Sequence, residues 1–192
     1  MLNLLFPKVC YGCKHLLSKG QEVLCAECIH SLPSTSFHKS QGDTLRNKFY
    51  GRVLLQNATS LFTFQKRGIT QELMHNLKYR GQKEISAFFG KWLGAELAEI
   101  EAYKEIDLVI PVPLHKQKLK KRGYNQVEGF GREIAEALQI PYRDDILLKV
   151  SKTGSQVFKN RILRFGAEEM FVAQNLEAIN NKHILLVDDI IT

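Results

Sequence analysis

The chain has 192 residues, 44% of them hydrophobic, and a formal net charge of +7. That is enough apolar material for one ordinary domain with a small appendage. No window approaches the ~18 consecutive apolar residues of a membrane span, and the apolar residues 1–7 are too few and lack the basic opening of a signal peptide, so a cytoplasmic protein is expected.

All four cysteines fall in the first 28 residues, as Cys10-x2-Cys13 and Cys25-x2-Cys28 with eleven residues between the pairs. Two such turns across a short loop have the spacing of a four-thiolate zinc site of the ribbon or knuckle type. Two disulfides, or redox-active pairs, are the alternatives. A cytosolic location disfavours stable disulfides, and a redox pair needs no second copy. A closed shell of four sulfurs leaves no open position for catalysis, so Zn2+ is expected to be structural. About 35 residues cannot bury a core alone, so the metal is expected to supply most of the ribbon's folding energy. Gly12 is expected to give the first turn its permissive φ.

Residues 29–50 are polar and mixed and read as a connector. Residues 53–64 carry Val53-Leu54-Leu55, Leu61-Phe62 and Phe64, a pattern that predicts a hairpin. Thr70 is a candidate N-cap for a helix through Leu73, Met74, Leu77 and Lys78, closed by Gly81. A second helix is predicted over residues 84–102, with Ile85, Phe88, Phe89, Trp92, Leu93, Leu97 and Ile100 on one stripe. A short buried strand, residues 107–110, ends at Pro111-Val112-Pro113, since proline cannot donate into a central ladder. A loop over residues 114–125 leads to a helix over 126–139. Residues 145–150 and 171–173 read as strands, and Ile184-Leu185-Leu186-Val187 as a final strand buried on both faces. Strands alternating with helices predict an α/β fold with a mainly parallel sheet flanked by helices.

Three segments are expected to meet at the carboxyl edge of that sheet, where open α/β sheets bind ligands. One is Asp188-Asp189, directly after the last strand. The second is the proline-ended loop, in which residues 115–132 hold six Lys/Arg against one Glu. The third is the stretch 151–166, with Lys152, Lys159, Arg161 and Arg164 and no acid. Basicity concentrated in two windows favours an anionic partner, a phosphate ester or a nucleic acid. Arg122, Asn125 and Gln126 offer forked donors suited to phosphate oxygens. Tyr124, Phe158 and Phe165 are available for stacking on bases.

Taken in order, the two Cys-x2-Cys pairs, Asp107-x3-Pro-Val-Pro-Leu-His115, Arg122-Gly-Tyr-Asn-Gln126 and Leu186-Val-Asp-Asp-Ile-Ile-Thr192 resemble the ComF/ComFC competence proteins over nearly the whole chain. The resemblance implies a small amino-terminal four-cysteine zinc ribbon, through Cys10, Cys13, Cys25 and Cys28, joined to a type I phosphoribosyltransferase-like domain. It implies residues 1–40 for ribbon and connector and 41–192 for the second domain, the sequence ending inside the motif for phosphoribosyl pyrophosphate (PRPP). Truncation, rather than a natural terminus, is the expectation there. It implies ribose ligands at Asp188 and Asp189, the start of a phosphate loop at Ile190, Ile191 and Thr192, and a pyrophosphate loop at Pro113, Leu114 and His115 backed by Arg122 and Asn125. Mg2+ would accompany PRPP.

The function implied is natural transformation: handling incoming single-stranded DNA in the cytosol beside a helicase-like ATPase of the ComFA type. Lys116, Lys118, Lys120, Lys121, Arg122, Lys159, Arg161 and Arg164 are the candidate DNA-binding residues. The alternative is an active phosphoribosyltransferase that moves ribose 5-phosphate from PRPP to an unidentified base or amine.

Overall fold

A computed structural model describes residues 7–40, 44–151 and 169–191. In chain order the elements are α1 (Ala26–His30), α2 (Ile69–Tyr79), α3 (Glu84–Ala98), β1 (Leu108–Pro111), α4 (Lys116–Arg122), α5 (Glu128–Ala137), β2 (Leu147–Ser151), β3 (Glu169–Ala173) and β4 (Ile184–Val187). The fold is mixed α/β.

The cysteine-bearing segment packs directly on α2. Cys10, Val23, Leu24 and Cys28 share one buried cluster with Leu73, Leu77, Ile85 and Tyr124. A polar tie fixes the docking: fully buried Asn76 of α2 donates from Nδ2 to the Tyr11 carbonyl at 2.7 Å. A buried amide is tolerated only when its hydrogen bonds are made, so this contact also sets the orientation. The segment after α1 is pinned to α3 by His38, which is 7% exposed and lies between Thr59 Oγ1 at 3.1 Å and Glu96 Oε2 at 2.7 Å.

Helices α3 and α5 approach closely because glycines line the contact. A Cβ at Gly90 would lie 2.6 Å from the Phe130 carbonyl oxygen, and one at Gly94 would lie 2.9 Å from Ala137 Cβ. Around this seam Leu93, Leu97, Val109, Ile134 and Val187 form the second core cluster. The four residues of β1 are all buried. On one side β1 pairs in parallel with β4, from Leu108↔Ile184 to Pro111↔Val187. On its other side Val109 donates to the Pro141 carbonyl at 2.9 Å and accepts from Arg143 N–H at 2.9 Å. Strands β2 and β3 form an antiparallel pair, joined to β1 through Ile146, which packs with Leu108 and Ile110.

Several expectations need correction. The helices and strands predicted around 70–81, 84–102, 107–110, 126–139, 145–150, 171–173 and 184–187 are present, with ends shifted by a few residues. The hairpin over 53–64 is not: that segment runs without a strand, held by a Ser34↔Phe62 bridge and by hydrogen bonds such as Thr63 N–H to the Pro33 carbonyl at 2.9 Å, and Leu54 is 98% exposed. Its apolar residues are spread over a coil rather than alternating across a ladder. The N-cap of α2 is Gly68, and Thr70 lies two residues further on, where its Oγ1 accepts from Gln65 N–H at 2.9 Å. The supposed loop 114–125 contains α4. The mainly parallel sheet is, among the described residues, one parallel pair and one antiparallel pair in separate sheets. Strand β4 is not buried on both faces, since Ile184 is 40% and Leu186 56% exposed.

Gly90→Val should lower the free energy of unfolding by about 1–3 kcal/mol, because the added methyls must displace the α5 backbone rather than a movable side chain. Chemical denaturation would measure it. An unchanged midpoint would show that the α3–α5 seam has slack.

Candidate functional site

The first site is the cysteine cluster. The four Sγ atoms of Cys10, Cys13, Cys25 and Cys28 all lie within 4.8 Å of one another, and Cys13 Sγ is 3.6 Å from Cys25 Sγ. Tetrahedral zinc with Zn–S bonds of about 2.3 Å requires sulfurs about 3.8 Å apart, so the set fits a metal such as Zn2+. Local backbone makes the cluster. A turn closed by Lys14 N–H to the Cys10 carbonyl at 2.9 Å carries the first pair, and the start of α1 carries the second. The electrostatics favour a thiolate at one corner. Burial would push the Cys10 thiol up, but hydrogen bonds from the backbone N–H groups of Cys13, Cys25 and Gly12 outweigh it and hold it down at about 6. Burial and the neighbouring thiols push Cys28 up, which a cation among the sulfurs would reverse.

Gly12 serves this cluster differently from the expectation. The left-handed residue of the turn is Lys14, at φ 68°, while Gly12 is not among the residues with positive φ. Gly12 is needed for space: a Cβ there would lie 2.8 Å from Cys28 Sγ and 3.1 Å from Ile69 Cδ1.

The second site is the edge where β1 and β4 end together. Because the strands are parallel and in register, Pro111 and Val187 finish side by side, and Val112 N–H donates to the Val187 carbonyl at 2.8 Å. The proline loop and Asp188-Asp189 therefore leave from one place. Asn125 braces the loop, donating from Nδ2 to the Val112 carbonyl at 3.0 Å. His115 caps α4, its Nδ1 accepting from Gln117 N–H at 3.3 Å. Gly123 ends α4 at φ 82°, a conformation that glycine adopts without steric cost.

The two acids are not equivalent. Asp189 is held: its Oδ2 accepts from Lys78 Nζ at 2.6 Å and from Gln126 Nε2 at 2.7 Å. Gln126 is itself buried, accepts from Arg122 through Oε1, and has its carbonyl bonded by Ser86 Oγ at 2.6 Å. Asp188 faces solvent and accepts from Asp189 N–H at 2.7 Å. Desolvation by neighbouring protein pushes the Asp188 carboxyl above the usual range and the Asp189 charge adds to this, while the Asp189 N–H, Lys78 and Lys149 oppose it.

Of the residues singled out in the sequence, Pro113, Leu114, His115, Arg122, Asn125, Asp188 and Asp189 gather around this edge. Ile190 and Ile191 follow outside any helix or strand. Lys116, Lys118, Lys120, Lys121 and Arg122 lie on α4, where all but Arg122 are exposed. Thr192, Lys152, Phe158, Lys159, Arg161, Arg164 and Phe165 lie outside the described residues. Tyr124 is unsuited to stacking: it is 8% exposed, its hydroxyl donates to the Leu77 carbonyl, and Lys83 Nζ sits 4.8 Å from its ring centre. Sequence reasoning missed Lys78 and Ser86. Each looked like an ordinary helix position, and no local spacing signals a partner 40 or more residues away. A cleft of ≈ 240 Å3 beside Phe37, His38 and Tyr103 shares no residue with this edge.

Two outcomes follow. Cys25→Ser should release bound zinc and lower thermal stability in α2 as well as in the cysteine segment, because they share one core. Metal analysis with a thermal melt would read both, and unchanged zinc content would exclude the four-sulfur site. Lys78→Met removes one of the two cations that oppose protonation of Asp188, so Asp188 should titrate still higher. Carboxyl NMR titration would show it, and an unmoved Asp188 would mean Lys78 is not seated on the pair in solution.

No family model matches the chain, and no solved structure matches it. Curated proteins do. The chain is similar to competence protein ComFC of Streptococcus pneumoniae, 32% identical over 184 residues, covering 96% of this chain and 75% of that protein. It is similar to competence protein ComFC of Bacillus subtilis, 28% identical over 187 residues, covering 96% and 72%. A DNA utilization protein, YhgH of Shigella flexneri, is 23% identical over 202 residues, covering 97% and 86%. Identity at that level, sustained along three quarters of the Streptococcus pneumoniae protein, establishes that the chain belongs to the ComFC competence protein family.

Proposed function

We propose that this chain acts in competence and DNA uptake, handling single-stranded DNA in the cytoplasm beside a helicase-like ATPase of the ComFA type. In this reading it uses a type I phosphoribosyltransferase-like fold that binds PRPP with Mg2+. Residues 1–40 form the zinc ribbon and connector, and 41–192 the phosphoribosyltransferase-like domain. The competence role draws on the relatives' names. The observation that carries the PRPP reading is the register Pro111↔Val187, which brings a proline-fixed loop and an acid pair to one sheet edge. Such an edge suits a ligand with a diol at one end and phosphates at the other.

In that reading Asp188 and Asp189 accept from the ribose 2′- and 3′-hydroxyls. Asp188 is the open acceptor, and Asp189 is oriented by Lys78 and Gln126. The backbone of Pro113, Leu114 and His115 faces the pyrophosphate, with Arg122 and Asn125 behind it. Ile190, Ile191 and Thr192 begin the loop that cradles the 5′-phosphate. Mg2+ prefers phosphate oxygens and water to an all-protein cage, so it would arrive with the pyrophosphate. The cations of α4, with Lys159, Arg161 and Arg164, supply the path for DNA phosphates. Zinc, through the four cysteines, is structural and holds the ribbon that α2 packs against.

Calorimetric titration with PRPP and Mg2+ tests the sheet edge, on this chain and on one extended past Thr192 by the corresponding segment of a ComFC relative. Saturable binding, abolished by Asp188→Asn with Asp189→Asn, is expected. Pyrophosphate release on adding a base or amine would establish the transferase reading in place of a binding role. Absence of binding in both chains would remove PRPP and leave DNA handling to stand alone.

A further inference from the structure

We propose that Tyr79 is a stacking platform for an unpaired nucleobase of single-stranded DNA whose phosphates are held by α4. This rests on the reading that α4 is a DNA-binding element, and it names the residue that would contact the bases.

Tyr79 is the last residue of α2, and 72% of its surface is exposed. An exposed ring is unremarkable by itself; its surroundings are what distinguish it. The Arg122 guanidinium lies 6.0 Å from the ring centre, and the His75 ring lies 5.1 Å away, tilted by 45°. Arg122 is not a loose side chain, because its Nη1 donates to Gln126 Oε1 and Gln126 is bonded in turn to Asp189. Lys78, the preceding residue, is seated on Asp189 at 2.6 Å. The platform is thus pre-arranged: its helix is anchored on one side by Lys78 and its cationic neighbour on the other by Gln126.

The ligand class follows from charge and geometry. Helix α4 carries Lys116, Lys118, Lys120, Lys121 and Arg122 in seven residues with no acid, enough cations for several phosphates in a row. Arg122 is the last of them and lies at the tyrosine. A strand tracking α4 would bring a base to Tyr79, where stacking tolerates any base and gains from the adjacent guanidinium. Duplex DNA keeps its bases stacked inside and would offer the ring nothing. Tyrosine is also suited to the surface when idle, since its hydroxyl stays hydrated.

The test is binding of fluorescein-labelled oligothymidylate, about 15 nucleotides long, and of an abasic strand of equal length. The proteins are the full chain with zinc bound, Tyr79→Leu, Tyr79→Trp, Tyr50→Leu as a second exposed tyrosine, and Lys120→Glu with Lys121→Glu. Tyr79→Leu should weaken oligothymidylate binding roughly 5- to 100-fold while leaving abasic binding and the salt dependence unchanged. Tyr79→Trp should restore it, and Tyr50→Leu should have no effect. The charge reversal should weaken both strands and flatten the salt dependence. Equal loss on both strands with Tyr79→Leu, or no loss on either, overturns the proposal. A wild-type chain that ignores oligothymidylate at low salt would overturn the DNA reading of α4 itself, whereas wild-type binding without a Tyr79 effect overturns only the platform.

Discussion

The parallel register between β1 and β4 is the constraint on which the candidate site depends. Parallel pairing sends both chain exits to one end of the sheet, where an antiparallel pair would place them at opposite ends. Asp107 helps lock that register from the entry end, with Oδ1 on Lys182 Nζ at 2.6 Å and Oδ2 accepting from His183 N–H at 2.8 Å. Hydrogen bonds from Lys182 and His183 hold the Asp107 carboxyl below its usual value, so the lock is charged at neutral pH. At the exit end the ladder finishes with Val112 N–H on the Val187 carbonyl, and Pro113, which has no N–H to donate, follows directly.

The helical layer then makes the edge polar and precise. Glycines at 90 and 94 let α3 and α5 approach to backbone distance, and buried Ser86 uses that closeness. Its hydroxyl donates to the Gln126 carbonyl and accepts from Phe130 N–H at 2.9 Å. Gln126 is thereby held by both backbone and side chain as it reaches Asp189. A larger residue at Gly90 would act on the acid pair through this route, although it touches neither carboxylate. The cysteine segment supports the same edge from behind, since the α2 face that buries Cys10 and Cys28 belongs to the helix that carries Lys78.

Local signals were legible and long-range ones were not. The four cysteines could be read because thiolate spacing is written in consecutive residues, and the strand Ile184–Val187 because four aliphatics run together. The stripe of α3 was visible for the same reason. The hairpin at 53–64 failed because Val53, Leu54 and Leu55 were weighed by composition, and propensity without a pairing partner does not make a strand. Helix α4 was missed because seven residues, five of them charged, show no apolar periodicity. It forms between a His115 cap and a left-handed Gly123, signals easily read as loop chemistry. The unequal state of the two acids could not be read at all, because it depends on a lysine on α2 whose role exists only after folding.

The register has a kinetic side as well. The residues it joins are 76 positions apart, as at Asp107 and His183, and closing so long a loop costs chain entropy before any ladder contact repays it. The cysteine knuckle and the separate helices need only neighbouring residues, and during synthesis they leave the ribosome first. A nascent chain therefore presents its metal-binding turns before the strand that carries its acid pair has been made.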